Sequence, residues 1–398
     1  MLAFDPRSPE VLHDPHPHLQ RLREQDPVHQ SPLGFWLLTR YDDVAQGLRR
    51  AELGTSRSAE QFKSLYGSGP TFAFASRRFQ YFDPPDHTRV RSLVTKAFTL
   101  RRVEAMRPRM QAIVDGLLDA AEEQREVEFI EDVAHQLPAI VICEMLGVPP
   151  ADQPQLSRWA STIPFIIAPV VEPARLADAD TAIGAFFDYL EALIAERRRN
   201  PGDDLLSALL AAEEAGQRLS SAEVVATAVF LFSAGHHTTR NLVGNGMLAL
   251  LSHRDQWERL VREPELGPSA IEECLRYEPS INFAPRRARV DVSIGDKTIP
   301  AGALVYLSLA GANRDPARFA EPDRLDIARR GNEHVAFGGG IHHCLGASLA
   351  RAEAQLLLAA LVRRFPHMQL APQAIAWRPT ITYRGLEALK IRLAQEGR

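Results

Sequence analysis

Residues Phe337 to Gly346 read Phe-Gly-Gly-Gly-Ile-His-His-Cys-Leu-Gly and place Cys344 between a glycine-rich turn and an apolar run. Three consecutive glycines allow positive φ and a close approach of the backbone to a flat or bulky group. The run that follows has the alanine and leucine spacing of a helix. A cysteine just ahead of a helix N-terminus lies near unpaired N–H groups and the positive end of the helix dipole, which both favour thiolate over thiol. A lone cysteine beside a turn is more often buried and inert, so the thiolate interpretation depends on the complete spacing.

The chain around this loop shows no internal repeat and no long linker, which predicts a single domain over residues 1–398. Short strands are predicted in the N-terminal region after Gly34, across residues 290–310, and near the C-terminus from Thr380 to Leu393. Most of the remaining sequence has apolar residues at helical period. We therefore predict a mainly α fold with a small β-rich lobe.

A long helix is predicted from the capping-box pattern Ser220-Ser-Ala-Glu223 to about Ser252. At 1.5 Å per residue it would be roughly 45 Å long, enough to cross a domain. Its middle holds Ala234-Gly-His-His-Thr-Thr239, where glycine and β-branched residues weaken the helix. This pattern is typical either of an imperfection tolerated in a long buried helix or of a local groove in the hydrogen-bond ladder.

Composition excludes several classes of function. Of the 398 residues, 45% are hydrophobic and 24% are charged, which is ordinary for a globular protein with a sizeable core. A net charge of −4 makes no case for nucleic acid as a partner. The N-terminus lacks a signal-peptide core, and no apolar window is long enough to span a membrane. Three widely separated cysteines argue against a disulfide framework, so we expect a cytoplasmic protein without membrane contact.

A zinc site is the alternative for the histidines around Cys344. His334, His342 and His343 lie close to the cysteine in sequence. Adjacent residues seldom converge on one tetrahedral ion, and the sequence has no second Cys-x-x-Cys or His-x-x-x-His pair. We therefore expect a site of a different kind.

The spacing Phe-x-x-Gly-x-His-x-Cys-x-Gly resembles the haem-binding loop of the cytochrome P450 family. Its fixed positions are Phe337, Gly340, His342, Cys344 and Gly346. The similarity extends from about residue 14 to residue 393, with the motifs in the family's order. It implies the cytochrome P450 fold, in which the long helix lies over haem b and Cys344 is the thiolate ligand of the iron. Phe337, Gly338 and Gly346 would belong to the loop that holds the haem.

The same resemblance implies four contacts to the haem propionates, made by His87, Arg91, Arg286 and His342. His87 and Arg91 are four residues apart, so they share one helix face. Without the resemblance, a solvated basic face would be the simpler interpretation. Arginine suits a carboxylate because its planar fork binds both oxygens. Neighbouring Arg287 leaves the assignment of Arg286 open.

The middle of the long helix resembles the family's oxygen-binding groove, Ala-Gly-x-acid-Thr. Thr238 matches the threonine that positions dioxygen and water, and Ala234 and Gly235 complete the match. His237, however, stands where the family has an acid that relays protons. An imidazole with an ordinary pKa of about 6.5 still shuttles protons, and a cationic one changes the local field. Three outcomes stay open: a working relay, slower and leakier oxygen activation, or chemistry that takes protons from the substrate.

Glu273 and Arg276 form an i, i+3 pair that resembles the family's Glu-x-x-Arg motif. The resemblance assigns the third member to Arg324, so that the three residues would hold the loop that carries Cys344. Such pairs on a helix surface contribute only about 0.2–0.5 kcal/mol, whereas a buried charge network is damaging to break.

The resemblance implies a haem-thiolate monooxygenase that inserts one oxygen atom of O2 into an apolar small molecule. The reaction would be a hydroxylation or an epoxidation, in secondary metabolism or catabolism. No flavin or iron–sulfur segment is fused to the sequence, so we expect a separate ferredoxin or flavodoxin with its reductase. The candidates for the docking face are arginines, namely Arg101, Arg102, Arg329, Arg330 and Arg351. The candidates for an apolar substrate pocket, by position in the family, are Phe72, Phe74, Phe165, Phe232, Ile281, Phe283, Ile381 and Thr382.

Two alternatives stay open. A peroxide-driven peroxygenase, or a haem isomerase or dehydratase, would use the imidazole of His237 for proton transfer without a reductase. A non-catalytic haem protein that binds a gas or another ligand is the more remote alternative, because it has no need of Thr238 or of the substrate lid that the resemblance implies for residues 151–200.

Overall fold

The computed structural model describes residues 4–167, 171–214 and 216–393. Within these residues the fold is mainly helical with small sheets, which confirms the predicted class. The helices are α1 Pro9–His13, α2 His16–Gln25, α3 Tyr41–Gly47, α4 Ala59–Tyr66, α5 Pro70–Ala75, α6 Asp86–Ala97, α7 Leu100–Glu122, α8 Gln136–Leu146, α9 Gln153–Ala160, α10 Ile163–Ile166, α11 Pro173–Arg199, α12 Leu205–Ala211, α13 Ser221–Ser252, α14 Arg254–Arg262, α15 Gly267–Tyr277, α16 Leu309–Ala312 and α17 Ala347–Arg364. The strands are β1 Val28–Gln30, β2 Phe35–Leu38, β3 Leu53–Gly54, β4 Glu126–Glu128, β5 Glu213–Glu214, β6 Gln217–Arg218, β7 Phe283–Ala288, β8 Val292–Ile294, β9 Lys297–Ile299, β10 Leu304–Ser308, β11 Gln369–Leu370 and β12 Lys390–Arg392.

The chain divides into two compact units. The first consists of the residues up to Gly54, Pro108–Leu137 and the residues from Thr238 onward, and the second of Thr55–Arg107 and Pro138–His237. The first unit contains a five-stranded sheet, a three-stranded sheet and the hairpin of β8 and β9. The second unit contains α4 to α6, α9 to α12 and the hairpin of β5 and β6. The single domain over residues 1–398 stays a prediction.

The five-stranded sheet of the first unit has the strand order β1-β2-β10-β7-β3. Strands β2 and β10 are parallel, and the other neighbours are antiparallel. Because successive side chains of a strand point to opposite faces, β2 contributes to two separate apolar clusters. Trp36 and Leu38 pack into one cluster, and Phe35 and Leu37 pack into the other. The sheet is therefore buried on both faces, and it holds β7, the strand that carries Arg286, in a fixed register opposite Val305.

The helix α13 begins at the predicted capping box. The Ser220 hydroxyl accepts a hydrogen bond from the Glu223 amide at 3.2 Å, and the Glu223 carboxylate accepts one from the Ser220 amide at 2.8 Å. The helix then continues through Ser252, which makes it about 48 Å long. Within the second unit its residues are mostly buried, but Phe230 and Ala234, one turn apart, keep accessible surface on one face.

The prediction of a strand-rich segment from Thr380 to Leu393 is largely wrong. Only β12 is a strand there, and the rest of the segment makes isolated bridges, Ile281 with Tyr383 and Trp377 with Leu386. At Gly385 an added Cβ would collide with the side-chain amide of Asn241 on α13. The backbone thus packs directly on α13 at this point instead of continuing the hydrogen-bond pattern of a β-sheet. Among the described residues, no helix combines the length and the apolar character needed to cross a membrane.

Candidate active site

Glycines determine the backbone conformation of the loop that carries Cys344. Gly338 and Gly340 have φ angles of +70° and +64°, which side-chain-bearing residues rarely adopt. At Gly340 an added Cβ would lie 2.5 Å from the Leu48 carbonyl oxygen, so any larger residue would push the loop away from its support. The loop is closed by the Cys344 amide, which donates to the Phe337 carbonyl at 3.0 Å. Cys344 is therefore held in a fixed turn three residues before α17 begins.

The three cysteines differ in exposure. Cys344 is exposed, whereas Cys143 and Cys274 are buried, and burial raises the pKa of each of these two thiols to about 12. A soft, accessible sulfur is the ligand that a haem iron requires on its thiolate side. A Cβ added at Gly346 would meet open space, which leaves room beside the sulfur for a flat group. The donor and its surroundings thus fit a haem.

An arginine that was predicted for the docking face lies next to the cysteine loop. The Arg351 guanidinium is 4.5 Å from the centre of the Phe337 ring, and its Nε and Nη2 donate to the Glu272 carboxylate at 2.7 and 2.9 Å. The hydrogen bond to Glu272 raises the pKa of Arg351, and negative charge on Cys344 acts in the same direction. Arg351 therefore places a positive charge within electrostatic reach of Cys344. Sequence reasoning missed this role, although Arg351 follows Cys344 by seven residues on α17.

Glu272 and His334 complete this support. His334 Nε2 lies 3.1 Å from the Glu272 carboxylate, and the His334 ring centre is 6.0 Å from that of Phe337. Burial alone would raise the pKa of Glu272, but the hydrogen bonds from Arg351 and His334 outweigh it and lower that pKa to about 2. His334, which was considered as a zinc ligand, is therefore engaged with a carboxylate. Within the described residues, no group of three or more His, Cys, Asp or Glu side chains is arranged to hold a metal ion.

The charge network around Glu273 differs from the prediction in one member. Glu273 and Arg276 are fully buried, and two Arg276 nitrogens donate to the two Glu273 oxygens at 2.8 Å each. The third member of the network, and its second cation, is Arg329, whose Nε donates to both Glu273 oxygens at 3.1 Å. Arg324 is wrong in that role, because its side chain is 60% exposed and pairs with Glu321.

A turn explains this exchange of arginines. Glu321 has a φ of +45°, and the Arg324 amide donates to its carbonyl at 3.0 Å. The chain therefore reverses so that Arg324 points to solvent while Arg329, five residues later, returns to the carboxylate. Arg324 contributes to the network around Glu273 through its backbone carbonyl, which accepts hydrogen bonds from Arg276 at 3.1 Å and from Arg329 at 3.0 Å. Arg329 is consequently also wrong as a docking residue, since its side chain is only 10% exposed.

The remaining docking candidates are on the surface. Arg101 and Arg330 are exposed, and Arg102 is half-buried and pairs with Asp203 at 3.2 Å. These positions are compatible with a partner surface, and the docking role stays a prediction.

Two predicted propionate contacts, His87 and Arg91, lie on one face of α6. His87 is buried, and burial lowers its pKa, with the positive charge of Arg91 acting in the same direction. Both side chains approach Phe79, with 6.4 Å between the His87 and Phe79 ring centres and 6.0 Å from the Arg91 guanidinium to the Phe79 ring centre. The pair is therefore partly desolvated rather than a fully solvated face, and a carboxylate would offset the cost of that desolvation.

The other two propionate candidates belong to the first unit. Arg286 is buried on β7, and its Nη1 donates to the Pro285 carbonyl at 2.9 Å. Arg287 is less buried, and its Nη1 donates to the Gly302 carbonyl. His342 is half-buried and ends the helical turn Gly340–His342. This difference in burial favours Arg286 over Arg287 as the propionate contact. The roles of Arg286 and His342 at the propionates stay predictions.

The oxygen-groove residues are arranged on the central turn of α13. Ala234, Gly235 and Thr238 keep accessible surface, while His237 is buried. His237 Nε2 lies 3.0 Å from the carbonyl oxygen of Ala160, the last residue of α9. A carbonyl accepts only, so Nε2 carries the proton of this hydrogen bond. In the neutral imidazole, Nδ1 is then the nitrogen that accepts and releases a proton.

Three of the predicted pocket residues are core residues instead. Phe74 and Phe232 have no exposed surface, and Phe232 packs edge-on against Phe186 with 5.4 Å between ring centres. Phe283 is buried in the sheet core, where it contacts Phe4 and Tyr306. A side chain that lines an open cavity would keep accessible surface, so these three assignments are wrong. The others stay predictions: Phe72, Phe165, Ile281 and Ile381 are partly exposed, and Thr382 is buried with 8% of its surface accessible.

Comparisons with known proteins identify the family of this chain. The sequence profile described as Cytochrome P450 matches residues 155–374. The chain is 42% identical to Cytochrome P450 107B1 of Saccharopolyspora erythraea, over 98% of this chain and 97% of that protein. It is 41% identical to a vitamin D(3) 25-hydroxylase of Pseudonocardia autotrophica, over 96% and 94%. A crystal structure of a myxobacterial cytochrome P450 in complex with myristic acid has a TM-score of 0.90 and 37% identity, over 98% of each chain.

Proposed function

The chain belongs to the cytochrome P450 family, and from that premise we propose which of its residues hold the haem and manage protons. The enzyme is a haem-containing monooxygenase that uses O2 and a small-molecule substrate. We infer that the haem is of the b type and that Cys344 is its thiolate ligand. The observation that carries this inference is the exposed sulfur of Cys344 in its glycine turn, beside the cation of Arg351.

When bound, the haem supplies the activation of dioxygen, and the protein supplies placement and charge. Phe337, Gly338 and Gly346 form the turn that presents Cys344. His87, Arg91, Arg286 and His342 bind the propionates, which is supported by the burial of His87 and Arg286. Charge-assisted hydrogen bonds of this kind are stronger than neutral ones, so they fix the orientation of a group that has few other polar atoms.

Proton delivery depends on His237 and Thr238. The Ala160 carbonyl holds the Nε2–H of His237, so the imidazole presents Nδ1 as its exchanging atom. The Thr238 carbonyl accepts a hydrogen bond from the Ser280 hydroxyl at 2.7 Å, and Thr238 keeps accessible surface that a small molecule can reach. Ala234 and Gly235 leave space on the same face of the helix. A histidine that binds and releases one proton at Nδ1 performs the task of the acid at this position.

The substrate is an apolar molecule that is hydroxylated or epoxidised in secondary metabolism or catabolism. Relatives that act on vitamin D(3) or bind myristic acid support a long, largely apolar compound. The partly exposed side chains Phe72 and Phe165 are candidates for its contacts. We propose that the electrons come from a separate ferredoxin or flavodoxin with its reductase.

The proposal is tested with the reduced protein and carbon monoxide. We expect the red-shifted Soret band of thiolate-bound haem in the wild type and in Cys143→Ser, and its loss in Cys344→Ser. Protein that binds no haem, or a Cys344→Ser variant with an unchanged band, would contradict the assignment. The alternative of a peroxide-driven enzyme is tested with the same preparation, because it predicts product with hydrogen peroxide alone and none with a ferredoxin system.

A further inference from the structure

The most unusual charge in the second unit is the cation of Arg78. Arg78 lies between α5 and the turn Phe79–Tyr81, and only 2% of its surface is exposed. Among the residues that the structure describes, its Nε–H meets no acceptor and no carboxylate lies within ion-pair distance of its guanidinium. Arginine does not give up its proton in proteins. The structure therefore buries a positive charge without supplying a negative one.

Aromatic rings surround this cation. Its guanidinium carbon is 4.5 Å from the Tyr81 ring centre, 5.0 Å from that of Phe74 and 5.6 Å from that of Phe230. Cation–π attraction offsets part of the desolvation of the guanidinium, but it leaves the Nε–H without an acceptor. The rings thus hold the cation in place while its Nε–H has no hydrogen-bond partner among the described residues.

A second arginine adds positive charge to the same cluster. The Arg57 guanidinium lies 4.9 Å from the Tyr81 ring centre, so two cations are within 5 Å of one ring. The neighbouring Tyr66 hydroxyl donates to the Ile166 carbonyl at 3.0 Å. Burial raises the pKa of Tyr66 to about 12 even though both arginines oppose that shift, so the phenol stays neutral. The cluster of Arg57, Tyr66, Arg78 and Tyr81 is consequently positive overall.

The position of the cluster connects it to the groove of α13. Phe230, which the Arg78 guanidinium contacts, is one helical turn before Ala234. Both residues keep accessible surface on the same helix face. A molecule that lies along this face with its apolar body over Ala234 would bring one end to Arg78.

We propose that Arg78 binds the carboxylate of the substrate, so that the enzyme acts on long apolar carboxylic acids. This inference rests on the proposed monooxygenase function and names its substrate class. A carboxylate matches the planar fork of a guanidinium and neutralises one buried charge, and the surrounding rings suit an alkyl chain. The acid end is then fixed, and oxidation falls on a carbon remote from it.

The test uses ferric holoenzyme and straight-chain acids from lauric to palmitic, each compared with its methyl ester. Binding is measured by the shift of the Soret band and, in parallel, by calorimetry. We expect Arg78→Met to weaken binding of the acids by about tenfold or more, the range of charge-assisted hydrogen bonds, and to change ester binding less than about twofold. Arg78→Lys should recover part of the affinity for the acids, since it restores the charge without the fork.

Arg77→Met is the matched control, because Arg77 is adjacent, exposed and bonded to the Ala73 carbonyl at 3.0 Å. Equal loss of acid and ester binding in Arg78→Met would overturn the proposal. Loss of haem from Arg78→Met, with acid affinity unchanged in the haem-loaded fraction, would assign Arg78 to a haem propionate instead. Failure of the monooxygenase function would be seen separately, as calorimetric binding of acids to a protein without the thiolate spectrum.

Discussion

Replacing Arg329 by methionine removes one of the two cations that neutralise Glu273. Both oxygens of this fully buried carboxylate lose a partner at 3.1 Å, and only Arg276 and two N–H groups remain. Arg324→Met is the matched control, because Arg324 lies in the same segment and pairs with Glu321 while both side chains are mostly exposed. The two substitutions make the same chemical change, one at a mostly buried arginine and one at a mostly exposed arginine.

The expected magnitudes differ by several-fold. Breaking a buried ion pair costs about 3–5 kcal/mol, and we expect the lower end because Arg276 still pairs with Glu273. An exposed pair contributes about 0–1 kcal/mol. An unfolding entropy of roughly 2.1 cal/mol/K per residue gives about 0.8 kcal/mol/K for 398 residues. Arg329→Met should therefore lower the Tm by about 4 °C, and Arg324→Met by about 1 °C or less.

The measurement is thermal unfolding of the haem-loaded proteins, followed by circular dichroism and by the Soret band. Arg329→Lys is included because it retains the charge and should give an intermediate Tm. Equal shifts for Arg329→Met and Arg324→Met, or a larger shift for Arg324→Met, would refute the assignment of Arg329 to the network.

Three further predictions concern proton transfer, haem retention and pH. His237→Gln keeps an N–H donor for the Ala160 carbonyl but has no titrating group. We therefore expect product formation to fall by about 100-fold while substrate affinity stays unchanged. The same product yield per electron as in the wild type would contradict a proton relay through His237. Arg351→Met should speed haem loss about two- to fivefold, measured by transfer to an acceptor protein, whereas the exposed Arg330→Met should not change it. Burial raises the pKa of Glu353 from 4.5 to about 8, and its Oε2 has no hydrogen-bond partner among the described residues. As the pH rises, Glu353 ionises in the unfolded state before it ionises in the native state, so the native state loses stability between about pH 4.5 and 8. Glu353→Gln should therefore become more stable relative to the wild type over that range, by on the order of 1–3 kcal/mol at pH 8. A difference in Tm between the two proteins that does not change with pH would contradict this origin.

Features that depend on short-range sequence were predictable. The capping box at Ser220 and Glu223 and the extent of α13 follow from residues within a few positions of one another. The turn before Cys344 is of the same kind, since its glycines determine the backbone directly. These elements need no knowledge of the tertiary fold.

Features that depend on chain reversal were not predictable. Arg324 and Arg329 have the same side chain, and the positive φ of Glu321, a residue other than glycine, decides which one reaches Glu273. The core positions of Phe74 and Phe232 likewise depend on which helix packs on them. An apolar residue in a pocket and one in a core have the same sequence signature, and only the packing separates them.

The different exposure of the three cysteines allows the protein to be labelled selectively at one thiol. Cys143 and Cys274 are buried with strongly raised pKa values, so reagents that attack thiolates would reach neither in the folded chain. Among these three cysteines, Cys344 alone is exposed. If Cys344 is the iron ligand that we propose, a thiol-reactive dye should attach at one position per chain in protein stripped of haem and at none in haem-loaded protein. Dye stoichiometry would then report the haem-loaded fraction of a preparation.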